Sequence, residues 1–406
     1  MGHADLEVTT VRDVETFVDD LPSLPAVIAH EPTDEGWRGL TADGDVFNIA
    51  GHNGNKVAIP ESLLITRDGK AVGRREVRND GINIAEYLQH HDRGVELFRA
   101  NECSQALAEF EAAIAIAPTA RARFNMGLVL LTLGRWQEGI KHHEARLELL
   151  MPWTCKEIEQ QGVPRWDGLD IAGSTLLLVH DAGFGDTIML LRCVRRLKHM
   201  GVNVRIMVPP ELQRLAEQFA PLAKDAEGAD YYCPLLSLFF LLQETPETIP
   251  NASYLKTDPV LVQKWRNWLG KTGRRVGVAW SVGKDVNGDY PRSIPLALLD
   301  DAIGDADVYS VQSQGVDEAS ALGIARPQFE DLADCAAFMS LMDEIVTVDT
   351  AAAHIAGAIG HPRTTVLLSY WHSWRWRLPL YAGLKFCVQP TPGDWTSAVE
   401  LWKQSR

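Results

Sequence analysis

Two runs of alternating strand-like and helix-like segments predict an α/β protein whose larger part has two halves, each on a parallel sheet. Three observations carry this. Short apolar runs of strand length recur from residue 175, with stretches of helical length between them. The series breaks near residues 255–273 and restarts at Arg275. Earlier residues follow other patterns: turn-punctuated β-prone runs over 1–85, then a helical stretch over 86–152. The expected division is therefore 1–85, 86–152, 153–260 and 261–406.

The bulk numbers agree with a multidomain globular chain. It has 406 residues, 46% of them hydrophobic and 23% charged, enough apolar material for more than one core. The net charge of −15 repels a phosphate backbone and argues against nonspecific nucleic-acid binding as the main role. The start, MGHADLEVTTVRDVE, lacks a basic stretch leading into an apolar one, so no signal peptide is expected. Apolar runs such as Leu235–Leu242 are too short to span a bilayer, so no transmembrane segment is expected. The six cysteines form no C-x-x-C pair and no disulfide or zinc spacing. They read as reduced, mostly buried thiols of a cytoplasmic protein.

In the first region, Asp43-Gly44 and Asp68-Gly69 stand beside β-prone runs and predict hairpins in a small β-rich or α+β appendage. The helical stretch repeats itself. Gly94 and Gly127, Leu97 and Leu130, and Ala106 and Gly139 are each 33 residues apart. Small residues let antiparallel helices approach closely, and Pro118 ends a helix. The period and positions resemble tetratricopeptide repeat (TPR) units. Two units scarcely bury their own faces, so they are expected to lean on a neighbouring domain. They serve either as packing or as a docking surface for a protein partner.

From residue 170 the strands read as Thr175–His180, Asn203–Val208, Arg275–Trp280, Asp307–Gln312, Glu344–Asp349 and Thr364–Ser369. Helices are expected over Thr187–Met200, Glu211–Phe219 and Asp394–Gln404. Alternation of this kind implies parallel sheets in two Rossmann-like domains facing across a cleft.

Four motifs can carry chemistry. The first, His180-Asp-Ala-Gly183-Phe-Gly185-Asp186-Thr187, lies between a strand and a helix. Gly183 and Gly185 allow a tight turn and a close approach of ligand to backbone. The loop is neither G-x-G-x-x-G nor a P-loop. Asp186 suits two roles, a helix N-cap or a catalytic carboxylate. The second, Asp349-Thr350-Ala351-Ala-Ala-His354, starts a helix whose free N–H groups and dipole suit a phosphate. Here Asp349 can equally be an N-cap and His354 a buried structural histidine. The third, Trp280 to Lys284 with Tyr290 to Pro295, follows the first strand of the second half. Its cations Lys284 and Arg292 either reach a diphosphate or sit in a solvated loop. The fourth, Trp371-His-Ser-Trp374-Arg-Trp376-Arg377, is either a base-stacking surface or packing at a domain junction.

Together these motifs resemble glycosyltransferase family 9, the heptosyltransferase-like family, and more closely the bacterial proteins that fuse TPR units to such a domain. The matching text is Trp166-Asp-Gly168, Leu176-Leu-Leu with Gly183-Phe-Gly-Asp-Thr187, Arg292-Ser-Ile-Pro295, Asp349-Thr350 with His354, and Trp374-Arg-Trp376. It covers about residues 90–400. The resemblance implies a GT-B fold and an inverting, metal-independent transfer of a sugar from a nucleotide-activated donor to an acceptor hydroxyl. The acceptor would be a glycan, a protein or another hydroxyl compound. On this resemblance residues 153–260 hold the acceptor and 261–406 the nucleotide-sugar. Asp186 takes the role of general base. Asp349, Thr350, Ala351 and His354 grip the diphosphate, and Lys284 or Arg292 supports the leaving group. Trp280, Trp374 and Trp376 are the aromatic contacts for base or acceptor. No cofactor and no metal is expected. The segment after Trp376, Arg377-Leu-Pro-Leu-Tyr-Ala-Gly, departs from the family's proline- and tryptophan-rich stretch. Two other readings stay open: a non-catalytic scaffold that binds a protein partner, and a glycosyltransferase acting on modified nucleic acid.

Overall fold

The computed structural model describes residues 7–10, 26–33, 36–50, 62–67, 70–76, 80–270, 273–282, 292–312 and 316–406. The chain forms two compact units, Met1–Met151 and Pro152–Arg406. No helix among the described residues is long and apolar enough to cross a membrane.

Among the described residues the first unit holds six strands: β1 (Glu7–Thr10), β2 (Val27–Thr33), β3 (Gly36–Thr41), β4 (Val46–Ala50), β5 (Ser62–Arg67) and β6 (Lys70–Glu76). They pair antiparallel into two three-stranded sheets, β1-β5-β6 and β2-β3-β4. The β3–β4 turn uses Gly44 at φ 93°, a left-handed position where a side chain is strained. Five helices follow: α1 (Ile84–Arg99), α2 (Cys103–Ile116), α3 (Ala120–Thr132), α4 (Trp136–His143) and α5 (Arg146–Leu150). The 33-residue spacing has a packing basis. Gly94 of α1 lies against the Phe110 ring of α2, and Gly127 of α3 lies against the backbone of His143 in α4. Each glycine and its partner are displaced by the same 33 residues. The helices share a core with the β2–β3 sheet, where Ile28, Ala29 and Leu40 meet Ile84, Tyr87 and Ala113. Residues 80–100 are therefore not the start of a separate body.

The second unit opens with α6 (Trp153–Gln160) and the strand β7 (Thr175–Val179). Next come α7 (Phe184–Leu190), α8 (Val194–His199), β8 (Asn203–Met207), α9 (Gln213–Ala216), β9 (Tyr231–Pro234) and α10 (Leu238–Leu241). The three strands are parallel, in the order β8-β7-β9. After α11 (Pro259–Leu269) the second series runs β10 (Arg275–Ala279), α12 (Leu296–Ile303), β11 (Asp307–Ser310), α13 (Val316–Ala321), α14 (Leu332–Met339) and β12 (Glu344–Val348). It closes with α15 (Ala351–Ile359), β13 (Thr364–Leu368), β14 (Leu384–Val388) and α16 (Trp395–Gln404). These five strands are also parallel, in the order β11-β10-β12-β13-β14. The expected α/β class and parallel sheets are present.

The strand orders position the site. In the first half the chain leaves β7 to one side for β8 and returns to the other for β9. In the second it leaves β10 for β11 and returns for β12. Such reversals open a crevice at the carboxyl ends of the strands. The segments after β7 and β12 lie there, as do residues 280–282 after β10.

One departure from expectation matters for that site. The helix expected at Thr187–Met200 starts at Phe184 instead, and a 3-10 turn over Leu191–Cys193 splits it into α7 and α8. Asp186 therefore lies inside the first turn.

At the opposite end of the second sheet, buried Glu344 accepts from Arg274 Nη2 (2.6 Å), Trp402 Nε1 (3.0 Å) and Arg406 Nε (3.2 Å). Burial opposes its charge, but Arg274, Arg406 and the Trp402 indole hold its carboxyl below the usual range. A carboxylate with a depressed folded pKa stabilises above its unfolded pKa, and this is lost as pH falls through the folded value. Glu344→Gln is expected to lower stability in urea by about 1–3 kcal/mol at pH 7. The gap to the unaltered chain should narrow below about pH 4.

Candidate active site at the carboxyl ends of β7 and β12

The loop after β7 is tied down by its own side chains. His180 Nδ1 and Thr187 Oγ1 are 2.7 Å apart, and Asp181 Oδ1 accepts from Leu236 N at 2.9 Å. Gly183 is the N-cap of α7, with φ −69° and ψ 161°. Asp186 at the third helical position reaches back, its Oδ2 accepting from Gly183 N at 3.2 Å. The N-cap alternative for Asp186 is thus corrected: glycine occupies that position, and the carboxylate serves the cap only with one oxygen. Its Oδ1 pairs with Arg375 Nε from the other half.

The element after β12 begins α15. Thr350 is the N-cap, extended at φ −141°, and its side chain makes no capping hydrogen bond. Its hydroxyl lies 3.2 Å from that of Thr347. The N–H groups of Ala351 and Ala352 have no acceptor within the helix and no side-chain cap, whereas Ala353 N donates to the Thr350 carbonyl at 3.1 Å. Asp349 is not the cap either. It is buried, with its Oδ2 3.5 Å from Arg292 Nη1, which also donates to the Asp349 carbonyl at 3.4 Å. Arg292 is carried there because Ser293 and Ile294 bond back to Val282 N and Trp280 O. The alternative of Arg292 as an ordinary solvated cation is therefore removed. Lys284 lies outside the described residues.

His354 joins the two halves. An added Cβ on Gly185 would come within 2.5 Å of His354 Cδ2 and 3.1 Å of Nε2, so the imidazole lies directly against the glycine's backbone. The ring packs on Trp376 with centroids 4.6 Å apart, and its Nδ1 is 2.8 Å from the Tyr381 hydroxyl. Gly357, three residues along α15, makes room for the Tyr381 ring in the same way. Burial pushes His354 down to about 4, although Asp349 and Asp186 pull the other way.

Behind His354 lies a group that the sequence reading missed. Arg192 is buried, and its guanidinium donates to the carbonyls of Met189 (2.7 Å), Pro250 (2.7 Å) and Leu380. Its carbon centre is 4.8 Å from the Tyr254 ring and 4.6 Å from the Tyr381 ring. The signal was present: an arginine inside the apolar run Ile188-Met-Leu-Leu-Arg-Cys-Val194 must find acceptors when that helix is buried. Arg375 was quoted within its motif but given no role. Its guanidinium also lies over Trp374 at 4.6 Å.

The aromatic contacts need correction. Trp280 is fully buried in the core cluster of the second half, with its indole N–H donated to Glu318. It presents no face to a ligand. Trp374 and Trp376 are buried too, and Arg375 between them is ion-paired, so this cluster is not an open stacking surface. Three buried polar atoms nearby have no hydrogen-bond partner among the described residues: Ser369 Oγ after β13, Gln389 Nε2 after β14, and Trp376 Nε1. The Gln389 carboxamide is fixed because its oxygen accepts from Tyr370 N (3.1 Å) and Gly393 N (3.3 Å). Buried polar groups are normally satisfied, so these three atoms stand out. Among the described residues no three His, Cys, Asp or Glu side chains group to hold a metal.

No family model matches the chain. It is 25% identical over 380 residues to protein FlbA of Caulobacter vibrioides, a match covering 80% of this chain and 63% of that protein's length. Among solved structures it is similar to E. coli ADP-heptose lps heptosyltransferase II, with TM-score 0.44, 14% identity, and 57% and 97% of the two chains covered. It is also similar to a glycosyl transferase family 9 protein of Veillonella parvula, with TM-score 0.41, 12% identity, and 54% and 87% covered. Identities and TM-scores this low decide neither fold nor activity.

A histidine whose folded pKa lies below its unfolded value near 6.5 stays neutral while the unfolded chain takes up a proton. The His354 ring resonances are therefore expected to stay those of neutral imidazole from pH 8 down to pH 5.5 in an NMR titration. A midpoint at 6.5 or above would contradict the packing described.

Proposed function

We propose that Pro152–Arg406 is a GT-B glycosyltransferase that moves a sugar from a nucleotide-activated donor to an acceptor hydroxyl, with inversion and without a metal. The carrying observation is that two elements far apart in sequence share one place. The Asp186 loop and the start of α15 meet through Gly185 and His354, and Arg375 links across to Asp186. In this reading residues 153–260 hold the acceptor and 261–406 the donor. The open N–H groups at Ala351, with Thr350 and Arg292, support a diphosphate there. Asp349 and His354 then act through position: Asp349 holds Arg292, and His354 packs the start of α15 onto Gly185.

The reaction follows from these groups. The acceptor oxygen attacks the anomeric carbon from the face opposite the diphosphate. Its proton passes to Asp186 as the new C–O bond forms. The bond from the anomeric carbon to the diphosphate oxygen breaks, and the nucleoside diphosphate leaves with its charge met by the helix start and Arg292. Arg375 occupies the Asp186 Oδ1 atom, so it must release that oxygen as substrates arrive. The donor's diphosphate offers that cation a more highly charged partner.

The 33-residue pairing of the helices over 86–152 supports reading them as TPR-like, with a protein as the partner class. In this reading Trp280 is structural, and base recognition falls to Ser369, Gln389 and the Trp376 N–H.

A thermal-shift screen of nucleotide sugars identifies the donor. With that donor, Asp186→Asn should cut transfer by about 10²–10⁴-fold while leaving nucleoside diphosphate affinity within a few-fold. Arg292→Ala should instead weaken nucleoside diphosphate binding about tenfold by calorimetry. A folded Asp186→Asn protein with full transfer activity would remove the base.

A further inference from the structure

A second concavity lies away from the Asp186 loop. It is a cavity of about 780 Å³ lined by α8, the segments around α9 and residues 254–261. That volume matches a drug-sized ligand rather than a single ion. Arg195 and Lys198 line it, nine and twelve residues past Asp186. At about 1.5 Å of helical rise per residue this places them roughly 14–18 Å further along.

Its charge runs against the rest of the molecule. In a chain of net charge −15, three of its lining cations, Arg195, Lys198 and Lys256, have no carboxylate partner among the described residues. Their neighbours do. Arg196, on another face of α8, pairs with buried Glu244 at 2.6 Å. Arg214 in the cavity wall is held by Asp331 and Glu330. Two carboxylates also line the cavity, Glu217 and Asp258. Asp258 is engaged at the start of α11, accepting from Val260 N at 2.8 Å. Arg195 and Lys198 stand three apart on one helix face, where like charges repel unless an anion lies between them. Phe219 and Tyr254 add an aromatic wall, with ring centroids 6.1 Å apart.

We infer that this cavity is a second ligand site, separate from the transfer site, that binds a small molecule carrying two or more phosphate groups. Arg195 and Lys198 grip one end of the anion, and Lys256 reaches it from the linker into the second half. The aromatic wall packs against the ligand's organic part.

The test is calorimetry on the full chain with sodium pyrophosphate, in Arg292→Ala protein so that the transfer site contributes little. Binding is expected, weakening as salt rises. Adding Arg195→Glu and Lys198→Glu, both at exposed positions, should lower affinity at least tenfold with an unchanged thermal midpoint. Lys256→Gln should lower it at least threefold. Absent binding, or affinity indifferent to these changes, would overturn the site. Vesicles containing phosphatidic acid separate a lipid headgroup from a free ligand. Binding to vesicles but not to pyrophosphate, lost on charge reversal, would overturn the small-molecule class.

Discussion

The contact of the His354 imidazole with the Gly185 backbone sets the geometry of the larger unit. It lets α7 and α15, the first helices after β7 and β12, pack at their starts. A side chain at residue 185 would occupy the space of the ring. The same device recurs at Gly357, where the missing side chain admits Tyr381, which in turn contacts His354. The two halves are thus held together by close backbone approach beside Asp186 and the start of α15.

Electrostatics follow from that packing. Burial keeps His354 neutral, so it adds no charge beneath the proposed phosphate place. Arg192 keeps its charge in the interior because carbonyls and two tyrosine faces take the place of water. Removing either tyrosine would leave that cation without part of its compensation. The exchangeable charges are on the other side: Asp186 with Arg375, and Asp349 with Arg292.

Much of this was legible in the sequence, and the failures have physical reasons. The apolar strand runs were clear because strands of buried parallel sheets are apolar throughout. β9 and β14 were missed because Tyr231–Pro234 and Leu384–Val388 are short, edge-placed and mixed in character. The start of α7 was misplaced because a glycine N-cap followed by Phe184-Gly185 gives little helix signal. Asp186 and Arg292 stand out in the sequence, but their ion-pair partners, Arg375 and Asp349, are reached only over long sequence separations. Trp280 misled because an aromatic at a strand end looks like a ligand contact, whereas its ring turns into the core. Arg192 was overlooked because its partners are backbone carbonyls, which leave no trace in composition.

The claim that one close contact locks the two halves is tested most directly by a double-mutant cycle on Gly185→Ala and His354→Ala, read by urea unfolding of the full chain. Gly185 has no positive φ, so alanine meets no backbone strain there. In the unaltered background Gly185→Ala is expected to lower stability by about 1–3 kcal/mol, from overpacking against the ring. In the His354→Ala background that loss should fall below about 0.5 kcal/mol, since the ring is gone. Equal losses in both backgrounds would contradict the account.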